Sequence, residues 1–415
     1  MASLFSLLNR WRLMATGGHQ PPKAPENQLI RFGILGAANI APLALITPAS
    51  QHPEVTVTAV AARDRAKAEK FAKKHKIPIV FDSYQELIDS DQVDAVYLPL
   101  PNALHLEWAL ECLRKGKHLL LEKPSVGNEE EARRLFAGPE MEEARRKGVV
   151  VLEAFHYRFQ PAWNLFLSLL DRPNIVDVDV SLILPVLFPD DDIRFHYDLA
   201  GGAMMDLTYT NSVVRAIYSA EPEECTSCEV QTMKPPLDER CDHTFRTTWR
   251  FPGGATASTM GTHRGTWIQH LKTNLPVTVK HRAVVISTDE EKGEETLRTR
   301  KVTMHNFMMT MIWHRIDIQD EFVVRKKEGG EEVKRWTVKE SKKAYTWQES
   351  NLGVNRKSES YWLTYKYQLD AFVDRIKGRE GTGAWVDGED SIGQMRMIDM
   401  AYRKSGLPIR VSKST

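Results

Sequence analysis

From residue 30 onward, short apolar runs alternate with amphipathic stretches. The segments IRFGILG, EVTVTAVAA (54–62), IPIVF, VDAVYLPL and GKHLLLEK read as strands, each bounded by charged or turn-forming residues. Between them, Asn39 to Pro48, Asp64 to Lys76, Tyr84 to Asp89 and Asn102 to Lys115 space their apolar positions as helices do. That alternation predicts an α/β domain over residues 29–150, a parallel sheet with crossover helices. After Val149 the texture changes. VVVLEAFHYRF is a strand running into a helix, and more polar β-like runs follow at 174–184, 226–233, 243–262, 275–287 and 331–338. They predict an α+β second domain, residues 151–415, with a large open, mainly antiparallel sheet. Residues 323–358 are charged and turn-rich and read as an elaborated hairpin or mobile loop. Helices from Tyr361 to Lys377 and from Ser391 to Ser405 close the chain.

Residues 1–28 stand apart. Leu4, Phe5, Leu7, Leu8, Trp11 and Leu13 accompany Arg10 and Arg12, and no acid precedes Glu26. Such a segment resembles a mitochondrial presequence. The favoured alternative is an arm whose apolar face packs on the body or on a partner subunit, with QPPKAP as a stiff linker.

The chain has 415 residues, more than one ordinary core holds, with 42% hydrophobic and 27% charged residues. Lys and Arg total 56 against 55 Asp and Glu, a net charge of +1, which argues against a nucleic-acid partner. No apolar run of about 18 residues is present to span a membrane. Four cysteines do not make a disulfide scaffold, and a reduced, cytoplasmic setting is expected, mitochondrial targeting being the alternative. Cys225-x2-Cys228 and Cys241-x-His243 have the residue types of a zinc clamp, but the second pair is spaced too tightly. Two strand ends that carry thiols are the preferred reading, and no metal is expected.

Ligands of open parallel sheets bind beyond the carboxyl ends of the strands, so the strand exits carry the chemistry. The first strand runs into GILGAANIAP, in which Gly36 is the tight-turn glycine, Ala38 replaces the second glycine of a phosphate-binding turn and Ala41 the third. At the end of the second strand Ala62 precedes Arg63, with Arg65 nearby, and no carboxylate sits at the tip. A guanidinium there suits a 2′-phosphate, so NADP is expected over NAD. The alternative is a solvated helix start capped by Asp64. In LPLPNALH, Asn102 and His105 share a helical face near the cofactor, although a histidine in a helix's first turn is more often a surface or capping residue. Glu122, Lys123 and Pro124 end the fifth strand: either a surface salt pair or, if they point into the crevice, an ammonium that holds a substrate hydroxyl or lowers the pKa of a neighbouring acid, with Glu122 as its partner.

GILGAANIA, YLPLPNALH, LLLEKP and LEAFHYRF, in this order, resemble the glucose-fructose oxidoreductase (Gfo/Idh/MocA) family of NAD(P)-dependent sugar oxidoreductases. Within it the chain is most similar to the dimeric dihydrodiol dehydrogenase group and its fungal NADP-dependent D-xylose 1-dehydrogenase relatives. DIRFHYDLAGGAMMDL (192–207) and the C-terminal QLDAFVDRIKGREGTGAWVDGEDSIGQMRMIDMAYRKSGLP extend the resemblance over about residues 30 to 410. It implies a Rossmann domain binding NADP at Gly36, Ala38, Asn39, Ile40, Arg63, Pro101, Asn102, His105, Glu122 and Lys123. It makes Lys123 the active-site lysine and Tyr209 the acid-base, its pKa lowered by Lys123. Asp206 would position a sugar walled by Phe155, Tyr157 and Arg158. The implied activity is oxidation of an aldopyranose, D-xylose foremost, at C1 to the aldonolactone. Alternatives are a dehydrogenase or reductase of a trans-dihydrodiol or specialised metabolite, and a catalytically weak NADP-binding protein. The resemblance also suggests a homodimer through the open sheet. Two positions depart from the family pattern. Thr208 replaces a glycine and Tyr209 stands three, not four, after Asp206, so that Thr210 competes for its place; and Gln160 stands where the group commonly has His.

Overall fold

The computed structural model describes residues 9–14, 17–269 and 275–411. Among them, six parallel strands form the first sheet: β1 (Ile30–Leu35), β2 (Val55–Ala61), β3 (Ile79–Phe81), β4 (Ala95–Leu98), β5 (His118–Leu121) and β6 (Val151–Glu153). Their order is β3-β2-β1-β4-β5-β6, the doubly wound order whose reversal between β1 and β4 opens a crevice at the strands' carboxyl ends. β4 and the last three residues of β5 are buried throughout, as strands covered on both faces must be. The helices between them are capped as their sequences suggest. The Asp64 side chain accepts from the Lys67 N–H before the helix Arg65–His75, and Ser83 does the same for Glu86 before Tyr84–Asp89. After the first strand, a π-helical turn (Pro42–Ile46) leads into one α-turn (Thr47–Ser50) where a continuous helix from Asn39 was expected.

The second sheet has nine described strands: β7 (Ile175–Pro185), β8 (Glu224–Thr232), β9 (Asp242–Arg250), β10 (Thr256–Gly265), β11 (Val277–His281), β12 (Val284–Asp289), β13 (Glu294–His305), β14 (Arg315–Lys326) and β15 (Glu332–Lys342). Their order is β15-β14-β13-β11-β7-β10-β9-β8, with β12 beside β13. Only β7 and β10 pair in parallel, so the sheet is mixed but mostly antiparallel. The expected runs 243–262 and 275–287 are each two strands, broken by Gly253–Gly254 and by Arg282. Residues 323–342 are the end of β14, a short turn and β15, the hairpin of the two readings rather than a loop. The buried helix Tyr209–Tyr218 packs on β7 and β10.

The C-terminal helices join the two halves. Thr364–Ile376 packs on the Pro42–Ser50 segment and on the turn His156–Phe159, while Gly388–Ser405 packs on β8 and on the helix Glu129–Phe136. Beyond them Arg410, wholly buried, pairs with Asp242 at 3.0 Å and donates to the Gly201 carbonyl at 2.7 Å. The described part of the N-terminal arm packs on the body. Leu13 and Met14 join the core, Arg10 stacks on Tyr345, and Lys23 donates to the carbonyls of Ala49, His52 and Val55. The presequence-like residues 1–8, and 15–16, lie outside the described residues. No helix among the described residues is long and apolar enough to cross a membrane.

Candidate active site

A cleft of about 680 Å³ opens at the carboxyl ends of β1, β4 and β5 and continues into a second hollow of about 480 Å³ beside β2. Ala38, Asn39, Ile40, Pro101, Asn102, Glu122, Lys123, Asp206 and Tyr209 line the cleft, and Gly36, Arg63 and Pro101 line the hollow. Gly36 has φ +99°, a region L side chains rarely adopt, and a Cβ there would lie 3.0 Å from Leu100. This turn can hold a phosphate against backbone. Arg65 is consumed by Glu69 and Asp82, whereas Arg63 is exposed and makes no ion pair or side-chain hydrogen bond among the described residues. With no carboxylate at the tip of β2 and a free guanidinium beside it, the hollow fits an adenosine ribose that bears a 2′-phosphate.

Lys123 lies on the cleft floor. Its ammonium donates to Asp206 Oδ1 and to the Asp206 carbonyl, both at 2.8 Å, which leaves one of its three protons for a ligand. The other Asp206 oxygen meets His263 Nε2 at 2.8 Å and Arg194 Nε at 3.1 Å. Burial alone would raise the Asp206 pKa, but Lys123, His263 and Arg194 together hold it well below the usual carboxylate range. The backbone prepares this position. Gly202 has φ +130°, and a Cβ would meet Asp242 Oδ1 at 2.4 Å; Asp242 in turn accepts from the Met204 N–H at 2.8 Å. The buried Arg410–Asp242 pair thus seats the short helix Ala203–Asp206 under the cleft.

Glu122 does not pair with the Lys123 ammonium. It accepts from the Tyr97 hydroxyl at 2.7 Å, and burial, opposed by Lys123, raises its pKa. Tyr209 reaches the cleft despite the missing glycine. Thr208 faces away and is held by Gln394, and the Thr210 hydroxyl is buried against the Leu207 carbonyl at 3.3 Å, so neither competes. The Lys123 ammonium stands 5.0 Å from the Tyr209 ring centroid, over its face. The expected lowering of the Tyr209 pKa is overturned. Burial foremost, then Tyr365, Glu122 and Asp206, push it well above the usual tyrosine value.

Five expected contacts lie elsewhere. His105 is wholly buried, its ring nitrogens 2.8 and 2.9 Å from the Leu100 and Pro124 carbonyls, to one of which the neutral ring donates, and burial pushes its pKa down to about 4. It clamps two cleft loops from behind and does not line the cleft. Phe155 and Tyr157 are buried beneath Tyr209 as edge-on rings, and Tyr157 bonds Ser212. Arg158 pairs with Asp390 and lines a separate cavity. Gln160, expected at the substrate wall, is a buried tie to Phe307 and Thr310. Cys225 and Cys228 sit within β8 and Cys241 just before β9, and no described group of His, Cys, Asp or Glu is arranged to hold a metal.

Three cleft groups carry no signal in the sequence. His263 comes from β10, far along the chain, and its Nδ1 lacks a partner among the described residues. Tyr365, at the start of its helix, stacks on His156 at 4.0 Å and lines the cleft. Arg194 lies within the DIRFHYDL stretch, but only the fold shows that its guanidinium turns to Asp206.

A family model described as an oxidoreductase family with an NAD-binding Rossmann fold matches residues 30–155. The chain is 35% identical over 229 residues to D-xylose 1-dehydrogenase (NADP(+)) 2 of Haloferax volcanii, covering 54% of this chain and 67% of that protein. It is 30% identical over 235 residues to the trans-1,2-dihydrobenzene-1,2-diol dehydrogenase of Sus scrofa, 55% of this chain and 67% of that one. Against the dTDP-3,4-didehydro-2,6-dideoxy-alpha-D-glucose 3-reductase of Actinomadura kijaniata it is 36% identical over 181 residues, 43% of this chain and about half (52%) of the reductase. The solved structure of KijD10, a 3-ketoreductase from that organism in complex with NADP and TDP-benzene, superposes with a TM-score of 0.65 over 91% of this chain and 98% of its own, at 21% identity. At that identity the likeness is one of fold.

Proposed function

Because the chain belongs to the Gfo/Idh/MocA family of oxidoreductases, we propose that it is an NADP-dependent dehydrogenase that oxidises the anomeric carbon of an aldopyranose, D-xylose foremost, to the aldonolactone. The observation that carries this reading is the Lys123 ammonium, fixed by Asp206 with one donor to spare, between the phosphate-binding turn and Tyr209. NADP, when bound, supplies the hydride acceptor. Lys123 holds the substrate hydroxyl, and Asp206, ionised and itself pinned by His263 and Arg194, holds Lys123. Tyr209 exchanges the hydroxyl proton. Its raised pKa makes the neutral phenol the resting form, a ready donor for carbonyl reduction, and oxidation runs the same transfer backward once the phenol ionises.

That neutral phenol also favours a second reading, reduction of a keto group or turnover of a trans-dihydrodiol or specialised metabolite at the same site. The substrate is tested by following the reduced-nicotinamide absorbance with D-xylose, D-glucose, L-arabinose and a trans-dihydrodiol, each with NADP and with NAD. Turnover greatest with D-xylose and NADP supports the first reading. A panel silent on sugars but active on the dihydrodiol supports the second. NADPH binding with no turnover on any of them leaves a cofactor-binding protein without catalysis. The exposed Val285, Ile286, Val333, Trp336 and Val338 of the second sheet support a homodimer through that face, testable by light scattering.

A further inference from the structure

Two phenols line the catalytic cleft, and the mechanism above uses only one. Tyr209 opens the helix Tyr209–Tyr218, and Tyr365 lies in the first turn of Thr364–Ile376. Both rings pack on His156, with centroids 5.6 Å from it for Tyr209 and 4.0 Å for Tyr365. The Thr364 hydroxyl meets His156 Nδ1 at 2.7 Å, so the ring that carries Tyr365 is itself held.

The other buried phenols around the cleft floor are satisfied. Tyr97 donates to Glu122 at 2.7 Å, and Tyr157 meets Ser212 at 2.9 Å. The Tyr365 hydroxyl makes no hydrogen bond to a described residue, and it is not one of the unpartnered polar atoms sealed from solvent. A phenol that is rigidly stacked, lines a cleft and lacks a partner is open to a ligand. Burial, then Glu122 and Asp206, hold its pKa above the usual tyrosine value, so it is a neutral donor. The same two carboxylates, and Tyr365 itself, act on Tyr209, so the two hydroxyls face one space.

We infer that Tyr365 binds the hydroxyl next to the one that reacts, and that the substrate class of this site is a vicinal diol. The inference rests on the dehydrogenase reading above, in which the reacting hydroxyl occupies Lys123 and Tyr209. A group on the adjacent carbon then meets the second phenol. A neutral phenol suits a neutral hydroxyl, and Asp206, ionised beside it, disfavours an anionic substituent there. An aldopyranose presents its C2 hydroxyl beside the anomeric one, and a trans-dihydrodiol its second hydroxyl, so one contact serves both. Tyr365 is thus a specificity-determining residue.

The test compares kcat/KM of the native full chain and of Tyr365→Phe, which keeps the ring on His156 and removes only the hydroxyl. Two substrate pairs are used, D-xylose with 2-deoxy-D-xylose and trans-cyclohexane-1,2-diol with cyclohexanol, each with NADP. On the diol of whichever pair the native chain turns over, the variant should lose about tenfold, the factor that one neutral hydrogen bond carries. On the partner lacking the neighbouring hydroxyl it should match the native chain. Tyr209→Phe, by contrast, should lower both members alike. An undiminished rate on the diol in Tyr365→Phe, an equal loss on both members of a pair, or a native chain that does not prefer the diol would each overturn this assignment alone. A native chain silent on both pairs would overturn the dehydrogenase reading, and the assignment with it.

Discussion

Lys123 and Arg158 follow neighbouring strands of the parallel sheet and reach across to carboxylates of the second domain, Lys123 to Asp206 and Arg158 to Asp390. Each carboxylate is shared with a second cation, Arg194 in the first case and Arg215 in the second. Burial does not tell the pairs apart: the side chains are 12% and 22% exposed at Lys123–Asp206, and 17% and 20% at Arg158–Asp390. Their surroundings do. The first pair faces the phosphate-binding turn and Tyr209 across a cleft, while the second, held further by Arg215, Glu221 and Gln394, lines a separate cavity away from that turn. An ion pair is assigned to chemistry or to architecture by the cleft it faces. The family resemblance placed both cations in the site, and the geometry keeps only one.

The sharpest way to break this comparison is to remove each partner in turn. Lys123→Met should lower kcat/KM about a hundredfold to ten-thousandfold, the range of a lost acid-base or orienting group, while NADPH binding by fluorescence changes little. Asp390→Asn should do the reverse. It strands Arg158 and the buried Arg215, and urea unfolding should show a loss of about 3 kcal/mol, with kcat of the folded enzyme nearly unchanged. A variant of Asp390 that loses turnover at full stability would erase the distinction.

Tyr209 sharpens the comparison from the cleft side. With its pKa held above the usual tyrosine value, oxidation should rise by up to about tenfold per pH unit and show no plateau below about pH 10, while reduction stays flat. A plateau near neutrality in the oxidation profile would mean that Lys123 does lower the phenol's pKa. Arg63 extends the rule to a cation with no ion-pair partner among the described residues. Arg63→Ala should raise the KM for NADP about tenfold and leave that for NAD unchanged, measured by steady-state kinetics. A further effect, on stability rather than turnover, concerns the buried histidines. His105 and His156 are held neutral, with pKa values near 4 and 3, so the unfolded chain takes up their protons first as pH falls below about 6.5. Stability should therefore fall between pH 6.5 and 4, with a slope of about 1.4 kcal/mol per pH unit for each histidine, as urea midpoints at successive pH values would show.

The parallel sheet was legible because its strands are continuous apolar runs, and such runs need no partner to be recognised. The second sheet was read only in part. β13, with the sequence EETLRTRKVTMH, and the start of β14 carry so many charges that their alternation is masked, and along most of β13 the residues on both faces are only half-buried. The cleft was half legible. Lys123, Asp206 and the Gly36 turn lie in short contiguous motifs, whereas His263 and Tyr365 enter from distant elements that only the fold brings in. Tyr209 shows a further limit. Three or four residues after Asp206 are equivalent on a helix, so spacing left Thr210 open, and only the burial of Thr208 and Thr210 settles which side chain faces the cleft.

Steady-state reduction of NADP by D-xylose, compared between the native chain and Lys123→Met with NADPH binding measured alongside, tests the central claim most directly. Turnover in the native chain that collapses in the variant while NADPH still binds is the expected result. Turnover that survives the substitution would show that the Lys123–Asp206 pair is architectural, like Arg158–Asp390, and that the chemistry lies elsewhere.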